Sequence, residues 1–145
     1  MNYVKSKPLA SQNKYTDEPA RSAYSTAVAG GSNPQTEGLT ERDNEILKML
    51  NVTITSVDKL LSEFRFSEAG DTIYHFMWDE VAAKYLEEIK AREDLGVALP
   101  VLHHIILTGL KLLHPFMPFV TEAIWKEMPK ESDEMLIVSR WPTVA

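Results

Sequence analysis

Between Leu47 and Phe64, six large apolar residues recur at alternating steps of three and four: Leu47, Leu50, Ile54, Val57, Leu61 and Phe64. Steps of this kind keep them in one stripe along an α-helix, and so long a stripe must be buried against neighbours. Just ahead of it, Thr40-Glu41-Arg42-Asp43 has the form of a capping box, a hydroxyl followed three residues on by an acid. The spacing predicts a first helix over about 41–63.

A second helix is expected from near Ser67 to about Arg92. Ala69, Ile73, Phe76, Ala83 and Leu86 fall near one side of it, and Tyr74, Met77, Trp78, Val81 and Tyr85 on an adjoining side. An apolar surface this wide implies burial against more than one partner. Asp71, Asp79, Glu80, Glu87 and Glu88 take the remaining face.

Prolines punctuate the rest. Glu93 to Gly96 read as a turn, and Pro100 suits the first position of a third helix, where a missing N–H costs nothing. That helix, Val101 to about Leu113, is apolar nearly all round and should be central. His114-Pro115 should stop it, because proline disfavours helix in the residue before it. Pro118 opens a fourth helix with Phe119, Val120, Ala123, Ile124 and Trp125, and Pro129 ends it. Met135 to Ser139 is a short apolar run, read as a strand or an extended packing segment before Trp141-Pro142. The expected fold is all-α: a bundle of about four helices over residues 39–145, with a short extended C-terminal segment. Residues 1–38 are rich in Ser, Thr, Asn, Gly and Pro and poor in large aliphatics. Such a stretch buries too little apolar surface to offset its ordering entropy. It is read as an irregular tail or linker, with room for one short helix near Ala20–Ala29.

Composition excludes several functions. The 145 residues contain no cysteine, so a disulfide scaffold, a thiolate zinc site and a cysteine nucleophile are out. No apolar run approaches the ~20 residues that span a bilayer, and the N-terminus lacks a signal-peptide core. Both observations point to a cytoplasmic protein with no membrane partner. The net charge of −6 argues against a generic nucleic-acid binder, DNA included. Phosphate loops and nucleophile elbows are absent. His103 and His104 are adjacent, so on a helix they diverge and cannot chelate a metal as an i, i+4 pair would. The expectation is one packed and one half-exposed histidine, with His114 satisfying carbonyls at its helix end. No metal and no catalytic residue are expected.

Three strings carry more than composition: Phe64-Arg65-Phe66-Ser67-Glu68-Ala69, then Ile73-Tyr74-His75-Phe76-Met77-Trp78-Asp79-Glu80, then Leu112-Leu113-His114-Pro115-Phe116-Met117-Pro118-Phe119-Val120-Thr121-Glu122. In this order they resemble the anticodon-binding helical domain of class I aminoacyl-tRNA synthetases of the valine, isoleucine and leucine subgroup. The resemblance covers about 39–142. The third string favours the valine enzymes, since the isoleucine and leucine enzymes tend to carry Ala-Pro at the His114-Pro115 position. Departures exist. Ala82-Ala83-Lys84-Tyr85 stands where the family usually has a Cys-Asp-Trp-Tyr-like run. Lys5-Ser6-Lys7-Pro8 only partly resembles the family's catalytic lysine–serine loop. The adenylate-forming nucleotide-binding fold is missing. The expectation is a shortened or decayed piece of such an enzyme, with no catalysis of its own. ATP and magnesium would belong to the absent catalytic domain.

In that family the bundle grips the anticodon stem-loop, which requires cations for phosphates and rings for unpaired bases. The resemblance makes Arg65, Lys84, Lys90, Arg92 and Lys111 the candidate phosphate contacts, with Trp78 or Tyr85 as a stacking platform if exposed. Residues 41–100 carry 7 basic and 13 acidic groups, so weak, salt-sensitive binding is expected. The implied partners are tRNA, the valine acceptor first, and the rest of a synthetase. Alternatives are an isoleucine or leucine enzyme's domain, and a helical protein-interaction domain that has lost RNA binding.

Overall fold

The computed structural model describes residues 38–130 and 134–144. The expected tail and its short helix therefore lie outside the described residues, apart from Gly38. Four helices form the bundle, and no strand occurs among the described residues. The first is α1, Glu41–Ser62. The second is continuous but built of three pieces: α2 (Phe66–His75), a π-helical stretch (Phe76–Tyr85) and α3 (Leu86–Lys90). Then come α4 (Leu95–Leu113), α5 (Pro118–Glu127) and one 3₁₀ turn at Leu136–Val138.

The capping box forms as expected. The Asp43 N–H donates to Thr40 Oγ1 at 3.2 Å, and the Thr40 N–H donates to Asp43 Oδ2 at 3.0 Å. Ile46, Leu50, Ile54 and Val57 are buried, with Leu47 and Leu61 half-buried at the flanks. Phe64 departs from the expected stripe. It lies two residues past the helix, 79% exposed, with φ at +60°. The Arg65 N–H donates to the Leu60 carbonyl at 2.8 Å and the Phe64 N–H to the Leu61 carbonyl at 3.0 Å. This is the Schellman closure, which needs a left-handed residue at the position Phe64 fills.

The second helix buries only part of the apolar surface that a 3.6-residue period predicts. Ala69, Ile73 and Phe76 are buried, and then Val81, Tyr85 and Ile89. The jump from Phe76 to Val81 follows from the π winding, whose i→i+5 bonds turn the chain less per residue. Ala83, expected in the core, is exposed, and Leu86 is half-buried. Tyr74 and Trp78 are left outside as well.

α4 begins six residues earlier than Val101. Asp94 supplies the first acceptor, its carbonyl taking the Val97 and Ala98 N–H groups at 3.1 and 3.3 Å. Pro100 thus sits inside the helix, opposite exposed Gly96, whose carbonyl can turn to solvent. The early start is favoured by the burial of Ala98 and Val101. At 19 residues and a mean hydropathy of 1.6, α4 is long and apolar enough to cross a membrane, where the sequence reading found no such run. Here it is the central helix, with Ala98, Val101, Ile105 and Leu112 in the main core beside the apolar face of α1.

α2 and α4 run antiparallel at close quarters. A Cβ on Gly70 would lie 3.5 Å from the Phe116 ring, and one on Gly109 would lie 2.5 Å from Met77 Sδ. α5 starts at Pro118 and ends before Pro129, as expected. A second small core joins Leu110, Trp125 and Leu136. Met135 to Ser139 does not form a strand. With no neighbouring strand to pair, it closes a 3₁₀ turn, and the Glu122 carboxylate accepts the Leu136 and Ile137 N–H groups at 3.1 and 3.3 Å.

Candidate nucleic-acid interface

A site for single-stranded nucleic acid needs unpaired cations and exposed ring faces. Two of the seven candidates are bound up with the buried carboxylate of Asp43 instead. Tyr85 is fully buried, and its hydroxyl donates to Asp43 Oδ1 at 2.6 Å. Arg92 forks onto the same carboxylate, at 2.6 Å to Oδ1 and 2.9 Å to Oδ2, and also reaches Asp94. Asp43 is itself fully buried. Burial alone would raise its pKa, but the Arg92 fork, the Tyr85 hydroxyl and the Thr40 donors win and hold it below the ordinary carboxylate range. Burial and the Asp43 bond push the Tyr85 phenol above its usual value. This network ties the start of α1 to the end of the π stretch and the turn before α4. Its residues hold the bundle together, with Tyr85 and Asp43 buried and Arg92 partly exposed.

Three more cations are engaged by neighbouring acids. Arg65 bonds Glu68 through Nε at 2.7 Å and Glu63 at 3.1 Å. Lys84 meets Glu80 at 2.6 Å, and Lys90 meets Glu87 at 2.6 Å. All four pairs lie at the surface, and pairs of this kind are weak enough to exchange for a phosphate. Lys111 is different. Its ammonium stands 5.8 Å from the centre of the Trp125 ring. Burial there lowers its pKa from the ordinary lysine value, with Glu134 opposing.

Trp78 is the candidate that the fold presents best. It is 60% exposed and lies parallel to Tyr74, itself 56% exposed, with ring centres 6.4 Å apart and planes 9° from parallel. Tyr74 was not among the sequence candidates, although its i, i+4 relation to Trp78 was legible. The same helix lines a groove of about 410 Å³ against α1, through Thr72, His75, Phe76, Asp79 and Glu80, with Lys48 and Glu45 across it. His75 Nδ1 and Asp79 Oδ2 pair at 2.8 Å on its rim. Sequence reasoning also passed over Lys48, Lys59, Lys126 and Arg140, which have no ion-pair partner among the described residues.

The other histidines are structural. His103 is buried, its Nε2 donating to the Pro129 carbonyl at 2.7 Å, while His104 is exposed. His114 differs from expectation: it bonds a side chain and not a carbonyl. The Thr121 hydroxyl gives its proton to the Met117 carbonyl at 2.8 Å, so the 2.8 Å contact with His114 requires an Nδ1–H donor. No group of three metal-ligating side chains occurs among the described residues.

Comparison with known proteins closes the question of family. The family model described as the anticodon-binding domain of tRNA ligase matches residues 43–145. A valine–tRNA ligase of Fervidobacterium nodosum is 39% identical over 105 residues, and that of Bacillus anthracis 41% over 108, each covering 70% of this chain. The Geobacillus stearothermophilus valine–tRNA ligase is 39% identical over 111 residues, covering 72%. In each case the match takes in 12% of the relative's own length. The chain therefore belongs to the anticodon-binding domain family of tRNA ligases.

Proposed function

We propose that this chain binds the anticodon stem-loop of tRNA, the valine acceptor first, as the anticodon module of a valine–tRNA ligase. The family match over 43–145 supports the class of ligand, and the parallel Tyr74–Trp78 pair is the observation that carries the contact. Two neighbouring exposed rings offer a face to an unstacked base, whichever base it is. Phosphate contacts fall to Lys48, Lys59, Lys111 and the exchangeable Arg65, Lys84 and Lys90. Arg92 and Tyr85 take no part. ATP and magnesium would be held by a catalytic domain elsewhere in such an enzyme, and this chain binds tRNA without them. The setting is the cytoplasm.

The test is a titration at low salt with tRNA carrying a valine anticodon and with one whose anticodon is altered. A preference for the valine anticodon is expected, with affinity falling as salt rises, because the lysine–phosphate contacts release counterions. Trp78→Ala should weaken binding by about 1–3 kcal/mol, the usual worth of one base–ring stack. Its helical circular dichroism should be unchanged. Equal or absent binding of the two tRNAs would sink the proposal.

A further inference from the structure

Lys111 stands apart from the other lysines. Lys84 and Lys90 are held as ammonium ions by carboxylates at 2.6 Å. Lys48, Lys59 and Lys126 are exposed, so water solvates their charge. Lys111 is half-buried on α4 and has no ion-pair partner among the described residues. Its ammonium lies 5.8 Å from the centre of the Trp125 ring, and that of Lys130 lies 5.9 Å from the same centre. Lys130 is anchored there, its Nζ donating to the Trp125 carbonyl at 2.9 Å. His104 precedes Lys111 by about two helical turns, near enough for the lysine charge to oppose its protonation. Neither neighbour supplies a counter-charge. Burial disfavours the ammonium form of Lys111, and Glu134 only partly opposes this. The neutral amine so favoured is a nucleophile, which the ammonium ion is not.

We propose that Lys111 is a site of acylation by acyl phosphates, and that this modification regulates its contact with tRNA. The regulatory half rests on the tRNA-ligase reading above, and the acylation itself does not. Charge complementarity selects the donor. The phosphoryl group of an acyl phosphate is an anion, and Lys130 offers it a cation beside the amine that attacks. A neutral acyl donor gains nothing from Lys130. In the reaction, the lone pair of Lys111 Nζ attacks the acyl carbonyl carbon and an N–C bond forms. The bond from that carbon to the phosphate oxygen breaks, and phosphate leaves with the electron pair. One Nζ proton passes to water. Nothing is oxidised or reduced. The product is an uncharged amide, so the counterion release of one phosphate contact is lost.

The full chain is treated with acetyl phosphate near neutral pH, and each lysine is followed by peptide mass spectrometry. Lys111 should react at least about fivefold faster than Lys48, Lys59 or Lys126, because burial leaves more of it as free amine. Lys130→Gln should slow Lys111 about threefold toward acetyl phosphate, by removing the local cation, and leave its rate with neutral p-nitrophenyl acetate unchanged. Added salt repeats that comparison without a mutation, slowing only the reaction with acetyl phosphate. Lys111 reacting no faster than the exposed lysines overturns the proposal. So does an equal response of the two donors to both Lys130→Gln and salt. Brief acetyl phosphate treatment should also lower the salt slope of tRNA binding by about one in the wild type, and not in Lys111→Arg. An unchanged slope in the acetylated wild type overturns the regulatory half. A chain that binds no tRNA yet is acetylated first at Lys111 refutes the tRNA reading and leaves the acylation site standing.

Discussion

Replacing Asp43 by Asn keeps the shape of the residue and removes one charge from the centre of the network. The asparagine oxygen can still accept the Tyr85 hydroxyl. Its NH₂ group then faces the Thr40 N–H and the Arg92 guanidinium, donor against donor. Hydrogen bonds to a charged group are worth roughly 1.5–3 kcal/mol, and a buried pair that loses one partner costs about 3–5 kcal/mol. Arg92 keeps Asp94, and its side chain is 16% exposed, so its own charge is not stranded. The expected loss is therefore about 2–4 kcal/mol, a fall in melting temperature of roughly 10–25 °C for a domain of this size. Urea and thermal unfolding followed by far-ultraviolet circular dichroism measure it. The pH dependence has a definite sign. Asp43 titrates below its unfolded value of about 3.9, so its contribution is complete above that pH and is lost as the pH falls toward the folded value. Acidification below about pH 4 should thus destabilise the wild type more than Asp43→Asn. A loss under about 0.5 kcal/mol at pH 7, the scatter of ordinary surface changes, or parallel acid profiles for the two proteins, would refute the reasoning.

Phe64→Gly should raise stability by about 0.5–1 kcal/mol, because glycine accepts a positive φ freely but orders at a higher entropic cost; an unchanged melting temperature would show that the strain is absent. Gly109→Ala should change stability by less than about 1 kcal/mol, because alanine's better helix propensity offsets the shift its Cβ forces on the flexible end of Met77. Adding Met77→Ala should make the alanine at 109 favourable relative to glycine in that background, as a double-mutant cycle would read. Thr121→Val should cost about 1–3 kcal/mol by leaving the His114 Nδ1–H without its acceptor, and nuclear magnetic resonance of the His114 ring should report the lost bond.

Wherever a signal was local, the chain announced its fold. The capping box at Thr40, the stops at His114-Pro115 and before Pro129, and the opening of α5 at Pro118 each rest on geometry within a few residues. The start of α4 was missed because burial of Ala98 and Val101, a long-range gain, overrode the local preference of Pro100. The inner face of the second helix was legible in Ala69, Ile73, Phe76, Val81 and Tyr85, while Ala83, Tyr74 and Trp78 fall outside because a π stretch shifts the period, and nothing in the residues themselves marks it. The family was also legible, since its strings are contiguous. The site was legible only in part. Trp78 was found and its partner Tyr74 was within reach of simple i, i+4 spacing.

What local pattern could not supply was which charged or aromatic side chain faces outward. Arg92 and Lys90 are two residues apart and look alike in sequence, yet one is locked to Asp43, 49 residues away, while the other pairs with a neighbour at the surface. Helical periodicity sorts residues onto faces, but burial depends on which helix arrives opposite each face, and that is set by packing across the whole bundle. The same packing brings Phe64 and Phe66 to the end that carries Met117, Phe119 and Val120, over 50 residues along the chain, and makes one patch of two unremarked segments.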